Sequence, residues 1–175
     1  QGSKDRLMIN RIINNEAISI APRVNIYIAT VEDVPRLLPL AYEFNAESGR
    51  NFAIDEASWC GFWTEMIARD LGCAFYAAEH REAEPVGLIM AMTMPSHIDQ
   101  ELEVTETLWF LSKQYRRART GMELLSALER FAEIASAKRV NVTHLADSTG
   151  ERVRRVFVRR GYKAVECGYY KEVVV

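Results

Sequence analysis

The sequence predicts a single domain of the α/β (α+β) class, with a mixed sheet of six or seven strands flanked by about four helices. Three observations carry this. Strand-like runs recur at 25–30, 73–79, 85–94, 102–111, 140–145 and 162–174. Stretches with apolar residues at helical spacing stand between them, and the closing β–α–β–α–β order implies right-handed crossovers. The 175 residues, 49% hydrophobic and 26% charged, suit one soluble domain with an adequate core.

Taken in order, Gln1-Gly2-Ser3 reads as a tag remnant and residues 4–22 as an extension without a definite element, so 1–23 stand apart from a domain over 24–175. No basic segment followed by an apolar one opens the chain, so no secretion signal is expected. Asn25–Thr30 alternates as a strand. Asp33 is placed to cap a helix with Pro35 in its first turn, running to about Glu47. After the break at 48–51, a second helix starts near Asp55. Its residues Trp59, Phe62, Trp63, Met66 and Ile67 form one apolar stripe, which either packs on the core or lines a cleft. Three strands follow, broken by Pro95-Ser96-His97. A helix over 120–138 carries Leu124, Leu125, Leu128, Phe131, Ala132 and Ala135 on one side. The strand 140–145 precedes Ser148-Thr149-Gly150-Glu151, a capping-box pattern that opens a helix ending on Gly161 as a left-handed C-cap. Tyr162–Val174 closes the sheet, with two short strands around Gly168 as one arrangement.

Composition excludes several classes. A net charge of −2 makes no case for a whole-molecule nucleic-acid or acidic-membrane binder, and no apolar run is long enough to span a bilayer. Cys60, Cys73 and Cys167 are odd in number and widely spaced, which fits neither a disulfide framework nor a zinc site and suits a reducing, cytoplasmic setting. The absence of an H-E-x-x-H or comparable spacing gives no expectation of a catalytic metal.

The chemistry concentrates in Leu108–Leu125, LWFLSKQYRRARTGMELL, which runs from an apolar strand through a basic turn into an amphipathic helix. Unpaired N–H groups and the positive end of the helix dipole make such a turn an anion site. Lys113, Arg116, Arg117 and Arg119 add positive charge, and a diphosphate suits the arrangement; a solvated basic turn without a ligand is the other reading.

Arg116-Arg117-Ala118-Arg119-Thr120-Gly121 fills the frame of the [RQ]-x-x-G-x-[GA] motif, and with Phe157-Val158-Arg159-Arg160-Gly161-Tyr162 further on, the chain over about Asn25–Val173 resembles the GNAT (N-acetyltransferase) superfamily. Two positions depart from it. Arg119 replaces the middle glycine, as in similar sequences common in phages and prophages. Phe157 stands where many relatives carry a tyrosine acid. The resemblance implies a mostly antiparallel sheet with strands splayed at the cofactor site. It also implies acetyl-coenzyme A as donor, with its diphosphate on the backbone amides of Arg116, Arg117, Ala118, Arg119, Thr120 and Gly121, and Met122 close by. The pantetheine arm would then lie along Phe110, Leu111 and Ser112, and the strand near Trp109–Leu111 would splay from the one near His144.

Acyl transfer to an amine needs a neutral nucleophile, and with a pKa of about 10.4 only about one free lysine in several thousand is neutral at pH 7. A base must therefore take a proton. Glu106 is the first candidate and Glu103 the second, the two pointing opposite ways on a strand unless a bulge intervenes. The resemblance offers the Leu111 N–H for the oxyanion. With Phe157 unable to donate a proton, Tyr169 and Tyr170 become replacement acids, and His144 is a lesser candidate base; each has a packing role as its alternative. Arg152, Arg154, Arg155, Arg159 and Arg160 make a basic helix, which is either a solvated, ion-paired face or a docking face for nucleic acid or an acidic protein surface. The expected activity is acetyl transfer from acetyl-coenzyme A to a primary amine of a small molecule, a protein or a modified nucleotide. The rival is a non-catalytic module that binds coenzyme A or nucleic acid. No membrane partner is expected, and a homodimer stays open.

Overall fold

The computed structural model describes residues 24–49, 52–116, 119–145 and 150–165. Within them the order is β1 (Asn25–Ile28), α1 (Val34–Glu47), α2 (Glu56–Ala68), β2 (Gly72–Ala78), β3 (Gly87–Pro95), β4 (Leu102–Leu111), α3 (Thr120–Ile134), β5 (Arg139–Asn141) and α4 (Gly150–Arg159), with single 3-10 turns at Val31–Asp33 and Lys113–Tyr115. The strands form one sheet in the order β1-β2-β3-β4-β5. The first three pairings are antiparallel, and β4 with β5 is parallel. The described sheet thus has five strands rather than six or seven, with four α-helices as expected. Most of the closing β segment, and the residues Tyr169 and Tyr170 within it, lies outside the described residues, as does Ser148 of the expected capping box.

Two apolar layers hold the sheet. On one face Val34, Leu37, Leu40 and Ala41 of α1 and Trp63 of α2 meet Ala74, Tyr76, Leu88, Met90, Leu108 and Phe110. On the other, Leu124, Leu125, Leu128 and Ala132 of α3 and Phe157 of α4 meet Phe75, Ala77, Ile89, Ala91 and Val104. Every residue of β2 is buried, because both layers cover it, and its sequence is accordingly apolar throughout.

Several expected elements are corrected by their surroundings. The α2 stripe is only partly core. Trp63 is buried, while Phe62 is 47% exposed and Trp59, Met66 and Ile67 are partly buried, because α2 covers β2 on a narrow front. Asp33 stands at the N-cap of α1 with Pro35 in the first turn, but its side chain makes no capping bond to that helix. Its carboxylate turns back to the amide and hydroxyl of Thr30, at 2.9 and 3.1 Å, and is met by Arg36 and Arg81. α3 stops at Ile134 rather than 138, since Ser136 takes a positive φ of 58° and the Lys138 amide already donates to Leu102 O at the sheet edge. The strand expected over 140–145 is confined to Arg139–Asn141. Asp55 caps α2 by accepting from the Ser58 amide at 2.7 Å, and Gly161, at φ 91°, follows α4 in the left-handed conformation.

Candidate active site

β4 is the element that organises the site, and a single extra residue shapes it. Ala91 pairs with Glu106 and Met90 with Leu108, so Thr107 is unpaired in a β-bulge. Cross-strand partners share a face. Before the bulge, Val104 and Glu106 therefore point toward α3; after it, Leu108 and Phe110 point under α1. The bulge lies beyond the 103–106 interval, so Glu103 and Glu106 do face opposite ways.

The parallel ladder joins Glu103–Thr105 to Arg139–Asn141 and then stops. β4 continues to Leu111 with no strand partner on that side among the described residues, and the chain after β5 takes another course. The result is a fork between the two strands. At its base sits Glu106, 5% exposed. Its Oε2 accepts from the Thr143 amide at 3.0 Å and from the Thr143 hydroxyl at 2.9 Å, so a side chain bridges the strands where the ladder ends. Glu103 is engaged differently. It accepts from Arg139 Nε and, at 3.1 Å, from Asn141 Nδ2, and Arg139 also holds Asp99. That ion-paired cluster ties the strands together on the opposite face.

The Ser112 amide donates to Val86 O at 2.9 Å, toward β3. Successive amides of a strand alternate in direction, so the Leu111 amide points to the open side of the fork. The wall toward α4 is aromatic: Phe157 lies 5.8 Å from Trp109, 5.5 Å from Tyr162 and 6.3 Å from the exposed His144 ring. Tyr162 has its hydroxyl committed to Glu129. Burial, with the Glu129 carboxylate beside it, pushes its hydroxyl well above the ordinary tyrosine range, and that hydroxyl donates to Glu129 at 3.0 Å.

The mouth of the fork is the N-terminus of α3. Arg119 occupies the N-cap with φ −73°, an ordinary right-handed conformation, so the missing glycine entails no backbone strain there. No side chain caps the helix. The amides of Met122 and Glu123 donate to Arg119 O, while those of Thr120 and Gly121 have no acceptor among the described residues. A Cβ at Gly121 would lie 3.7 Å from Trp109 and 3.9 Å from Leu111, so the helix start rests against the edge of β4. Arg117 and Ala118 lie outside the described residues.

Arg116 is engaged by α1 and by the end of β4. Its guanidinium forms a bidentate pair with Glu47 of α1, both bonds 2.6 Å, and its Nε donates to Leu111 O at 2.6 Å. Ser112 donates to Glu43 at 3.2 Å. Thr143 and Glu47 are the site residues that sequence reasoning missed. Neither carries a local signal, since their partners lie 37 and 69 residues away. One surface concavity lies between α1 and the turn after β4, and another between the C-terminal half of α3, the start of β5 and the end of α4, away from the fork. Among the described residues no helix is long and apolar enough to cross a membrane, and no cluster of potential metal ligands is present.

No family model matches the sequence, and no curated protein does. The fold, by contrast, recurs among solved structures. A predicted acetyltransferase from Clostridium acetobutylicum, solved with acetyl-CoA, superposes with a TM-score of 0.69 at 14% identity over 86% of this chain and 96% of that one. An aminoglycoside acetyltransferase from an uncultured soil metagenomic sample gives 0.68 at 16% over 90% and 99%. A transcriptional regulator from Bacillus halodurans gives 0.69 at 17% over 86% and 100%. The chain has the mixed α/β fold that acetyltransferases of the GNAT type share.

Proposed function

We propose that this protein transfers an acetyl group from acetyl-coenzyme A to a primary amine, by direct attack on the thioester at the fork between β4 and β5. The observation that carries the reading is the conjunction of that fork with an uncapped helix N-terminus at its mouth. The amides of Thr120 and Gly121, without an acceptor among the described residues, fit a diphosphate, with the positive end of the α3 dipole and the exposed Lys113 and Arg119 adding to the attraction. The open edge of β4 from Phe110 to Ser112 fits an extended, amide-bearing arm, and Met122 borders the same entrance. One neighbour of the same fold was solved with acetyl-CoA.

Acetyl-coenzyme A supplies its acetyl group as a thioester, from which the acceptor amine displaces the thiol. This chain's residues do the rest. Glu106, anchored by Thr143 at the base of the fork, takes the proton that the ammonium must lose, directly or through one water. The Leu111 amide donates to the oxygen on which negative charge develops. Glu103 is tied to Arg139 and Asn141 and serves the strand junction rather than proton transfer. Phe157 carries no proton, so Tyr169 is the proposed acid for the departing thiolate. The acceptor class stays broad: a small-molecule amine, including an amino sugar as for the aminoglycoside acetyltransferase neighbour, or a protein amine.

A non-catalytic module docking nucleic acid through α4 is the second reading, but α4 is a weak docking face. Arg154 and Arg155 pair with Glu151, and Arg160 pairs with Glu129, leaving Arg152 and Arg159 as its exposed unpaired arginines among the described residues. Thermal-shift measurements with acetyl-coenzyme A, coenzyme A and duplex DNA, followed by a thiol-release assay, separate the two. Stabilisation by acetyl-coenzyme A with amine-dependent thiol release supports transfer; stabilisation by DNA alone overturns it.

A further inference from the structure

The basic residue that opens the phosphate turn is held by α1. Arg116 donates from all three guanidinium nitrogens: Nη1 and Nη2 to the two Glu47 oxygens, and Nε to the Leu111 carbonyl. The guanidinium plane also lies 5.2 Å from the Phe110 ring centroid, and Phe110 in turn packs edge-on against Phe44 of α1. One helical turn before Glu47, Glu43 accepts from the Ser112 hydroxyl. α1 has no basic residue in its own last turn, and Arg116 supplies the positive charge that its C-terminal carbonyls favour. The end of β4 and the turn after it are therefore fastened at two points to the last turn of α1, along the concavity lined by Glu43, Glu47, Ser112 and Lys113.

We propose that Glu47 and Arg116 are a positioning pair that sets the phosphate turn against the open edge of β4, so that Arg116 acts on the cofactor through Glu47 and not by contact with the diphosphate. This rests on the acetyl-coenzyme A reading above. A bidentate pair fixes direction as well as distance. Without it, the Thr120 and Gly121 amides lose a fixed spacing from Leu111, and the ligand must bind with its diphosphate and thioester ends less well placed together, which weakens its affinity.

The test is a charge swap read by calorimetric binding of coenzyme A and by steady-state kinetics. Glu47→Ala and Arg116→Ala each raise the Kd and the KM for acetyl-coenzyme A about tenfold, with kcat within about twofold. The double variant Glu47→Arg/Arg116→Glu returns both constants to within about threefold of wild type. Direct contact of Arg116 with the diphosphate predicts the opposite: Glu47→Ala binds as well as wild type or better, and the swap is as weak as Arg116→Ala. Either result overturns the proposal. Should the swap fail to fold, Glu47→Gln keeps the side-chain size while losing the bidentate charge pair, and an unchanged KM in that folded variant overturns it equally. A wild-type protein that binds no coenzyme A overturns the acyl-transfer reading together with this one, whereas wild-type binding with an unrescued swap overturns this one alone.

Discussion

Glu106→Gln separates what the carboxylate does for the fold from what it does for the reaction. Both donors from Thr143 converge on a single oxygen, at 3.0 and 2.9 Å. A glutamine oxygen accepts both bonds in the same place, so these two contacts survive and their acceptor loses its charge. The difference between a charged and a neutral bond is about 1 kcal/mol, giving a destabilisation of about 1–2 kcal/mol for the two. For a chain of this size that lowers the melting temperature by about 3–6 °C. Removing a general base costs far more: turnover falls by about 10²–10⁴, equivalent to about 3–5 kcal/mol of activation free energy. Affinity for coenzyme A changes little, because its proposed contacts lie at α3 and the end of β4. Scanning calorimetry and thiol release on the same preparation measure both effects. Turnover within threefold of wild type, accompanied by the small loss of stability, would refute the catalytic role and leave Glu106 as a strut between parted strands.

Asp33→Asn tests the junction of β1, α1 and the β2–β3 turn. Burial alone would raise the Asp33 carboxyl, but the amide and hydroxyl of Thr30 with Arg81 and Arg36 hold it below the ordinary aspartate value. A depressed folded value means stability that is present above the unfolded pKa of about 3.9 and lost as pH falls through the folded one. Urea titrations should show about 2–3 kcal/mol lost at pH 7 in the variant and a flatter dependence below about pH 4; identical acid limbs would contradict this. Gly87→Ala should cost about 1–3 kcal/mol, since the new methyl meets the Leu111 side chain and lies 3.1 Å from Phe110 O, and an unchanged urea midpoint would show that β4 yields freely. Burial pushes the Cys73 thiol up to about 12, so it should resist alkylation in the native protein at pH 8 and react only on unfolding, as followed by mass spectrometry.

Much of this was legible in the sequence because it is written in local pattern. Leu102–Leu111 reads as a strand-like run, and the strand falls on those bounds. Leu124, Leu125, Leu128 and Ala132 recur at helical spacing, and all are buried on α3. Asp55 before a helix and Gly161 after one obey capping rules that need only the neighbouring residues. The motif over Arg116–Gly121 likewise marked the strand-to-helix turn at which a phosphate site is expected.

What the sequence could not decide depends on contacts between distant segments. The apolar spacing of α2 fitted either core packing or a cleft lining, and Trp63 is buried while Phe62 stays exposed, since periodicity reports which residues share a face and not what covers it. Asp33 carries the signature of a cap, but Arg36 and Arg81 gather around it and turn it into the hub of an ion-pair cluster. The bulge at Thr107, which turns Leu108 and Phe110 to the face opposite Glu106, comes from the pairing with β3. Arg116 reads as a phosphate ligand by composition, and tertiary structure gives its charge to Glu47 on another helix. Local pattern fixes the type of an element because backbone geometry repeats over a few residues; the partner of a charged side chain is fixed only when the folded chain brings remote segments together.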